Sequence, residues 1–339
     1  MNKSFLNIGA LISESKIVIE VNMKIKLLIA LVIVAIALAG GAWLVLKRAP
    51  ERPGQQTADQ PFEWISDIAP GSGPGTPPAG SQPGADGPWN HRVMSATSSD
   101  GLSWVKDNII IANQASVPDA ILDKDSNIRV YYVDSHNGGL SVALSHDGDN
   151  WIYKKVVGLS PEWVDPDVVL LPDGGYRLYA SYMPMSGPQD KILSAVSNYG
   201  VSFAQEEGVR YQEDQITDED VIKMGDNWRM FVSKGPTTIS TVSSDGLTFT
   251  REQELPISGS VTNTIAVENG YRIYFHSGAV GGGMKIFCAF STDGRTWESA
   301  VQVLEGGPEG SLDWKGVADP AVIRLPNGTY KMFYKTWIE

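Results

Sequence analysis

The sequence has 339 residues, of which 42% are hydrophobic, and its formal net charge is -12 at pH 7. This length provides enough apolar residues for one large domain, and the acidic balance argues against nucleic acid or an anionic membrane surface as the main partner. Cys288 is the only cysteine, so an internal disulfide and a cysteine-based zinc site are both excluded.

An apolar segment near the amino terminus, residues 27–46, reads LLIALVIVAIALAGGAWLVL and carries no charge. A helix needs about 20 such residues to cross a bilayer. We therefore predict an N-terminal segment at 1–26 and, at 27–46, a transmembrane helix or uncleaved signal anchor, with the following chain on the extracytoplasmic side of a cell membrane. Basic residues flank the segment on both sides, so charge alone does not set its orientation. Two alternatives stay open: a cleavable signal ending near residues 37–39, which would give a secreted protein, and a start at Met23.

The next segment, residues 47–88, is dense in Pro, Gly, Gln and Ser. Such a composition cannot form a core, and it predicts a disordered linker that holds the rest of the chain away from the membrane. Phe62 and Trp64 are exceptions. We interpret them either as sticky linker residues or as a dock onto the folded domain.

From residue 89 onward an apolar unit recurs, best represented by residues 164–179, VDPDVVLLPDGGYRLY. It has a start that bears a carboxylate or Asn, a short apolar run, a turn rich in Asp, Asn and Gly, and a second run that mixes aromatic, basic and aliphatic residues. This pattern indicates a hairpin of two β-strands. The five copies lie at 117–131, 164–179, 218–231, 263–274 and 318–333.

A second unit, S-x-D-G-x-[ST]-[WF], alternates with the first. Four of its five copies contain Asp-Gly, which tolerates the positive φ of a tight hairpin, and Tyr199-Gly200 is the exception. Each copy closes on an aromatic residue that can pack between layers. The copies lie at 98–104, 145–151, 197–203, 243–249 and 291–297.

The spacing of these units predicts the fold. Successive turn positions lie 46 to 52 residues apart, which is the period of a four-stranded propeller blade. We therefore expect an all-β, five-bladed β-propeller at 89–339. The series begins with one kind of hairpin and ends with the other, so residues 92–111 should pair with 319–335 and close the ring through N- and C-terminal strands.

One repeat position in the second strand of the apolar hairpins is basic in every copy. A basic residue repeated in each blade favours a solvated face or an inter-blade contact over a clamp for a substrate carboxylate. The residues are Arg129, Arg177, Arg229, Arg272 and Lys331.

Acidic residues open the apolar hairpins. In a propeller the innermost strands begin at the mouth of a central funnel, so these residues should converge there. Positions two apart share a strand face, which would place both members of each pair together. The first position holds Val117, Asp165, Asp218 and Asp319, and the second holds Asp119, Asp167, Asp220 and Ala321, with Asn263 in the corresponding region of the fourth copy.

Three interpretations of this acidic funnel stay open. Two carboxylates in unlike surroundings, one protonated and one ionised, are what cleavage of a glycosidic bond requires. An oxygen-rich funnel could instead hold calcium, while no other metal and no cofactor is expected. For any single aspartate, capping of a turn beside proline is the structural alternative.

The motifs D-P-x-V, P-[DN]-G-x-Y-[RK] and S-x-D-G-x-[ST]-[WF] resemble those of the five-bladed β-propeller glycosidases, of the arabinanase and β-xylosidase type and of the invertase and levansucrase type. The resemblance covers residues 89–339. It implies an Asp base or nucleophile, an orienting Asp and a Glu acid at the starts of successive inner strands. Asp165 matches the orienting residue, and Glu219 is a candidate acid. In the first blade Val117 stands where the family has an Asp before proline, so Asp119, two residues on, would be the base or nucleophile.

Two functions follow as expectations. The first is a membrane-anchored, extracytoplasmic glycoside hydrolase, expected as a monomer, that acts on a glycan through the funnel. The second is a noncatalytic propeller that binds a glycan or a protein partner. Trp163 and Trp314 would stack on a sugar, with packing between blades as the alternative, and His276 would line the pocket. Residues predicted to contact substrate are Asp167, Asp218, Asp220, Asp319, Trp163, Trp314 and His276.

Overall fold

The computed structural model describes residues 61–338, except 83, 185, 186, 188, 189 and 280–282. All described residues belong to one compact unit. The predicted N-terminal segment at 1–26 and the predicted membrane helix at 27–46 lie outside the described residues. Within the described part of the chain, no helix has the length and apolar character needed to cross a bilayer.

The described residues form β-strands almost throughout, after one short 3-10 helix at Pro88–Asn90. Alternating apolar residues and Asp- or Gly-rich turns produce this series. The strands are β1 His91–Ser98, β2 Val105–Asn113, β3 Ala115–Leu122, β4 Ile128–Asp134, β5 Leu140–Ser145, β6 Ile152–Lys155, β7 Trp163–Leu170, β8 Tyr176–Tyr182, β9 Lys191–Ser197, β10 Ala204–Gln205, β11 Tyr211–Gln212, β12 Thr217–Met224, β13 Asn227–Lys234, β14 Thr237–Ser243, β15 Thr250–Glu254, β16 Ser260–Val267, β17 Gly270–Ser277, β18 Lys285–Ser291, β19 Val301–Leu304, β20 Ala318–Arg324 and β21 Tyr330–Trp337.

These strands form five antiparallel sheets, and the predicted five-bladed propeller is confirmed. Blades 1 to 4 are β3–β6, β7–β10 with β11 beside β9, β12–β15 and β16–β19. Blade 5 has the order β2-β1-β21-β20, so both ends of the repeat series share one sheet, as predicted. His91 pairs with Trp337 and Ser98 with Tyr330 along this closure. The inner strands β3, β7, β12, β16 and β20 each contact the next, and β20 contacts β3, which closes the ring.

The Asp-Gly hairpins are built by local hydrogen bonds, as the hairpin of blade 3 shows. Gly246, at φ +72°, donates its N–H to Ser243 Oγ at 2.9 Å. Asp245 Oδ1 accepts the N–H groups of Leu247 at 2.8 Å and Thr248 at 3.0 Å. The repeated spacing of Ser, Asp and Gly therefore encodes a self-satisfied turn.

An aromatic pair joins each blade to the next. One aromatic residue of each second strand meets the closing aromatic of the neighbouring hairpin edge-on, with ring centroids 5.8 to 6.4 Å apart. The hairpin aromatics thus pack between blades, as expected from the sequence. The pairs are Tyr131–Phe203, Tyr179–Phe249, Phe231–Trp297, Tyr274–Trp104 and Phe333–Trp151.

The repeated basic residues make structural contacts. Arg129 donates to the carbonyl oxygen of Tyr199 in the next blade at 2.8 Å, and Arg177 Nε lies 2.7 Å from Glu206 of its own blade. Lys331 Nζ lies 3.1 Å from Asp107 on its own outer strand. The predicted inter-blade contact is therefore confirmed for Arg129, whereas Arg177 and Lys331 pair with carboxylates of their own blades.

The described part of residues 61–88 differs from the predicted disordered linker, because it packs against blade 1. Asp67 donates its N–H to the carbonyl of Tyr153, and Ser66 Oγ accepts the N–H of Tyr153, both at 3.1 Å. Trp64 stacks on His146 with ring centroids 3.7 Å apart. The segment satisfies main-chain groups at the free edge of β6, and Phe62 and Trp64 supply the apolar area that its composition otherwise lacks.

Candidate functional site

Every inner strand begins with a β-bulge. The pairing register slips just after the first residues of β3, β7, β12, β16 and β20. Each bulge contains one residue with a left-handed φ of 45° to 53°, although none of them is glycine. A left-handed φ is unfavourable for residues other than glycine, and most of all for a β-branched residue such as valine. Its recurrence in all five blades shows that the sheet imposes this conformation. These bulge residues are Val117, Asp165, Asp218, Val261 and Asp319.

In four of the five blades the residue two positions after the bulge has a side-chain acceptor, and in three of them a hydrogen bond from it connects neighbouring inner strands. Asp119 Oδ2 accepts the N–H of Val168 in the next blade at 2.8 Å. Asp220 accepts the N–H of Thr264 at 3.1 Å and its hydroxyl at 2.6 Å. In blade 4 the same position accepts the N–H of Val322 at 2.8 Å through an uncharged amide. We call Asp119, Asp167, Asp220 and Asn263 the staple residues.

The bulge therefore separates two sets of acids that the sequence placed on one face. A left-handed residue interrupts the alternation of side chains along the strand, so the bulge acids and the staple acids have different neighbours. The structural alternative, in which an aspartate bonds backbone N–H groups, describes Asp119 and Asp220 well.

Burial changes the ionisation of the staple acids. Loss of solvent raises the pKa of Asp119 to about 7 and that of Asp220 to about 6, although both accept hydrogen bonds that oppose the rise. Burial, and then the nearby Asp119 and Asp220, raise the pKa of Asp167 well above its usual range. Asp167 is 6% exposed, and its Oδ2 has no hydrogen-bond partner.

Around the bulges lies the group that we call the mouth cluster: Asp165, Asp218, Glu219, Asp319, His276 and Lys335. Within it Asp319 is 1% exposed and lies between two bases, with Lys335 Nζ 2.6 Å from Oδ2 and His276 Nδ1 2.9 Å from Oδ1. Burial opposes ionisation of Asp319, but Lys335 and then His276 outweigh it and lower the pKa of its carboxyl. Asp319 is therefore the ionised member of the cluster.

The other mouth carboxyls have the opposite tendency. Burial is the main cause that raises the pKa of Asp218, and it raises those of Asp165 and Glu219 well above their usual ranges, with neighbouring carboxylates adding to the effect in all three. The Ser181 hydroxyl donates to Glu219 Oε2 at 3.0 Å and accepts the N–H of Asp218 at 3.0 Å. Glu219 Oε1 has no hydrogen-bond partner.

A small cavity of about 20 Å³ lies among these groups, which is room for about one water molecule. A sugar ring is too large to enter it, so any sugar would have to lie above the cavity. Among the described residues, no group of three or more His, Cys, Asp or Glu side chains is arranged to hold a metal ion. The lining of the small cavity includes Val117, Asp119, Asp165, Asp167, Asp218, Glu219 and Asn263.

The structure places the predicted aromatic and histidine contacts differently. Trp163 is 2% exposed and belongs to the core between blades 1 and 2, so it is not available for stacking on a sugar. The prediction for Trp163 was wrong because its strand directs the ring into the interface between blades. Trp314 is half-buried beside Lys315 and lines neither the small cavity nor the larger one described below. His276 contacts Asp319 directly.

Sequence reasoning missed Lys335 and Ser181. Both lie on second strands, where they pair with the residue just before a bulge: Lys335 with Ala318, and Ser181 with Val164. His276 pairs in the same way with Ser260. The shared repeat position was a usable signal, because it follows the aromatic residue of the second strand at a fixed distance.

Solved structures with this architecture are numerous. The chain has the fold of the five-bladed propeller glycoside hydrolases. It superposes on a thermostable family-43 glycoside hydrolase with a TM-score of 0.54 and 14% identity, covering 63% of this chain and 80% of that one. For an exo-1,5-alpha-L-arabinanase from a bovine ruminal metagenomic library the values are 0.51, 10%, 65% and 92%. For an endo-1,4-beta-xylanase from Bacteroides thetaiotaomicron they are 0.50, 13%, 64% and 83%.

At these identities the likeness establishes the fold and not the activity. No protein-family model matches the sequence, and no curated protein matches it significantly.

Proposed function

We propose that the protein is a glycoside hydrolase that acts on a glycan at the mouth of the propeller. The observation that carries the proposal is the presence of carboxyls with opposed tendencies to ionise in one cluster: burial raises the pKa of Glu219, which has an unpartnered oxygen, whereas Lys335 and His276 lower the pKa of Asp319. Unlike carboxyls side by side are the usual means by which one site supplies both an acid and a base at neutral pH.

The roles follow from accessibility and partners. Glu219 would donate a proton to the glycosidic oxygen through a water molecule in the small cavity, because its carboxyl lines that cavity and its raised pKa favours the protonated form. Asp218 is the half-buried carboxyl there, and the charges of Lys335 and His276 partly offset the rise in its pKa, so that in its ionised form it would accept a proton from the attacking water. Asp165 lies close enough to Asp218 and Asp319 for their charges to raise its pKa, and it would link the ionisation of these two carboxyls.

The proposal moves the base role away from Asp119. One oxygen of that carboxyl is committed to the N–H of Val168, and Asn263 performs the same task in blade 4 without any charge. Asp319 would act as a fixed charge rather than as the base, because Lys335 and His276 contact its two oxygens.

One observation favours the second function, a noncatalytic propeller that binds a glycan or a protein partner. Two of the five bulge positions carry valine, and one of them, Val117, stands where the glycosidase resemblance implies the base or nucleophile. A mouth with that asymmetry could hold a ligand without turning it over.

The proposal includes attachment of the propeller to the extracytoplasmic face of a membrane. The support is the uncharged apolar run at 27–46 and the Pro- and Gly-rich segment that follows it. An exported propeller would meet polysaccharide outside the cell, which is consistent with a glycan as its substrate.

The test is sugar release from a panel of aryl glycosides and plant or microbial polysaccharides. We expect Glu219→Gln to lower kcat/KM by about 100-fold or more, the usual contribution of a general acid. Glu298→Gln is the control, because Glu298 is exposed and follows the hairpin aromatic Trp297, outside the mouth cluster. Its activity should equal that of the unaltered protein.

Two results would contradict parts of this proposal. Undiminished turnover in Glu219→Gln would remove Glu219 from the chemistry. Glycan-array binding without turnover by the unaltered protein would speak against hydrolysis and decide for the noncatalytic function.

A further inference from the structure

A second, larger cavity of about 290 Å³ occupies the propeller on the other side of the staple residues. It begins at Asp119 and Asp167, which it shares with the small mouth cavity, and extends to Leu170 and Lys223 near the far ends of the inner strands. We call it the inner chamber. It lies apart from the mouth cluster, because Glu219 and the bulge residues do not line it.

The inner chamber has one polar end and apolar walls. The staple residues form the polar end, and aliphatic side chains from all five inner strands form the walls. This combination of an apolar lining with a few convergent polar groups is typical of a pocket for a small organic molecule. The walls include Ile121, Val169, Ile222, Ile265 and Val322.

The polar end of the chamber contains hydrogen-bond acceptors, and no basic residue of the described chamber lining lies beside them. Asp167 is only 6% exposed, and its Oδ2 is an unpartnered acceptor in the chamber lining. Lys223 is the one basic residue that lines the described chamber, and its Nζ lies 5.9 Å from the ring of Trp228. Lys223 and Trp228 belong to the far end, where the inner strand of blade 3 stops.

We propose that the inner chamber binds a small organic ammonium ion, with its charged head against Asp167 and its short apolar body along the aliphatic walls. An ammonium ion would give the unpartnered carboxylate oxygen a charged hydrogen-bond donor, which is the partner a buried carboxylate requires. A neutral alcohol would make the apolar contacts with the walls but no charged hydrogen bond with Asp167. A carboxylate would be repelled by the acidic end of the chamber.

The protonation of the staple acids supports this ligand class. Burial raises the pKa of Asp119, Asp167 and Asp220, and neighbouring carboxylates add to the rise for Asp119 and Asp167, so a bound cation would take the place of a proton and release it to solvent. Binding should therefore be accompanied by proton release near neutral pH. This inference does not depend on the proposed hydrolase activity, because it concerns a different cavity and a different ligand.

The experiment compares n-butylamine, n-butanol and butyrate on the full chain by calorimetry, with Trp228 fluorescence as a second readout, since Trp228 lines the chamber. We expect the amine to bind at least about 10-fold more tightly than the alcohol, because a charged hydrogen bond in a buried site contributes at least that much. The heat should differ between buffers of different ionisation enthalpy, as proton release requires.

Asp167→Asn should abolish the preference for the amine over the alcohol. Asp226→Asn, in an exposed turn, is the matched control and should keep it. If Asp167→Asn fails to fold, Ile222→Phe fills the chamber instead and should remove binding of both amine and alcohol. Equal affinities for amine and alcohol in the unaltered protein, or an amine preference that survives in Asp167→Asn, would overturn the proposal.

Discussion

Asn263 explains what the aspartates two residues after each bulge do. It accepts the N–H of Val322 just as Asp119 accepts that of Val168, so the shared task is to accept a hydrogen bond across the blade boundary. A buried acceptor in that position saves the neighbouring N–H from remaining unsatisfied. For Asp119 and Asp220, the negative charge is therefore a by-product that burial suppresses, rather than the reason for the residue.

This suppression predicts a pH dependence of stability. The pKa values of Asp119 and Asp220 in the folded protein are about 7 and about 6, above their values in the unfolded chain. The folded protein then binds more protons than the unfolded chain between about pH 4 and about pH 7, so the free energy of unfolding should fall as pH rises through that range. Urea unfolding at a series of pH values measures it.

Asp119→Asn should reduce this fall, although other buried carboxyls still contribute to it, and it should keep the hydrogen bond to Val168, as Asn263 does in blade 4. Asp226→Asn should leave the slope unchanged, since Asp226 lies in an exposed turn. An identical slope in Asp119→Asn would show that this carboxyl is not protonated in the folded protein. Below about pH 4 the ion pairs of Asp319, whose pKa is lowered, should weaken, and stability should fall again as its carboxylate is protonated.

At the scale of elements, the second strand of each blade and the hairpin of the next form one interface. The hydroxyl groups of Tyr131, Tyr179 and Tyr274 each donate to the carbonyl of the hairpin glycine, at 2.8 Å in all three cases. Blade 3 has Phe231 at this position and keeps the ring contact alone. The aromatic ring is thus the constant part of the interface, and the hydroxyl is an addition.

Substitutions at Tyr179 separate these two parts. Tyr179→Phe should lower the free energy of unfolding by about 1 to 3 kcal/mol, because the buried carbonyl of Gly246 loses its donor. Tyr179→Ala should cost about 3 to 5 kcal/mol, because the ring that packs on Phe249 is lost as well. Denaturant midpoints give both values. If the alanine variant were no less stable than the phenylalanine variant, the ring contact would not hold the blades together.

At the scale of the whole molecule, the ring closes through hydrogen bonds in blade 5, and the segment before it adds a clasp. Asp86 Oδ1 lies 2.8 Å from His91 Nε2 on β1 and accepts the indole N–H of Trp337 on β21 at 3.0 Å. One carboxylate thus contacts both strands that join the two ends of the series. Closure leaves the inner part of the sheet without a free edge.

Truncation tests both the clasp and the proposed anchor. The full chain should sediment with membranes and resist alkaline extraction, whereas residues 61–339 should be released with unchanged stability, because the described contacts of the propeller begin at residue 62. Residues 89–339 should unfold more easily, by about 1 to 3 kcal/mol or more, because the buried side chains of His91 and Trp337 lose their acceptor Asp86 and the packing of Phe62 and Trp64 is lost as well. Release of the full chain by alkali would remove the anchor from the proposal, and equal stability of the two truncated chains would remove the clasp.

The sequence by itself determined the number of blades and the way the ring closes. Ser243, Asp245 and Gly246 satisfy one another within a few residues, so each hairpin could be found from its own letters, and the regular spacing of such hairpins sets the blade count. The way the ring closes could also be read from the sequence. The series of hairpins begins with the Asp-Gly hairpin and ends with the apolar hairpin, and these two hairpins together make one blade.

Only the tertiary structure decided which acids belong together. Asp165 and Asp167 lie two residues apart, and strand alternation placed them on one face, but the left-handed bulge between strand start and strand body gives them different neighbours. The charge of Asp319 is set by Lys335 and His276, which come from the second strands of blades 5 and 4. The ionisation of Asp319 depends on the distances in space between its carboxylate and these two side chains. The spacing of residues along the chain does not give those distances.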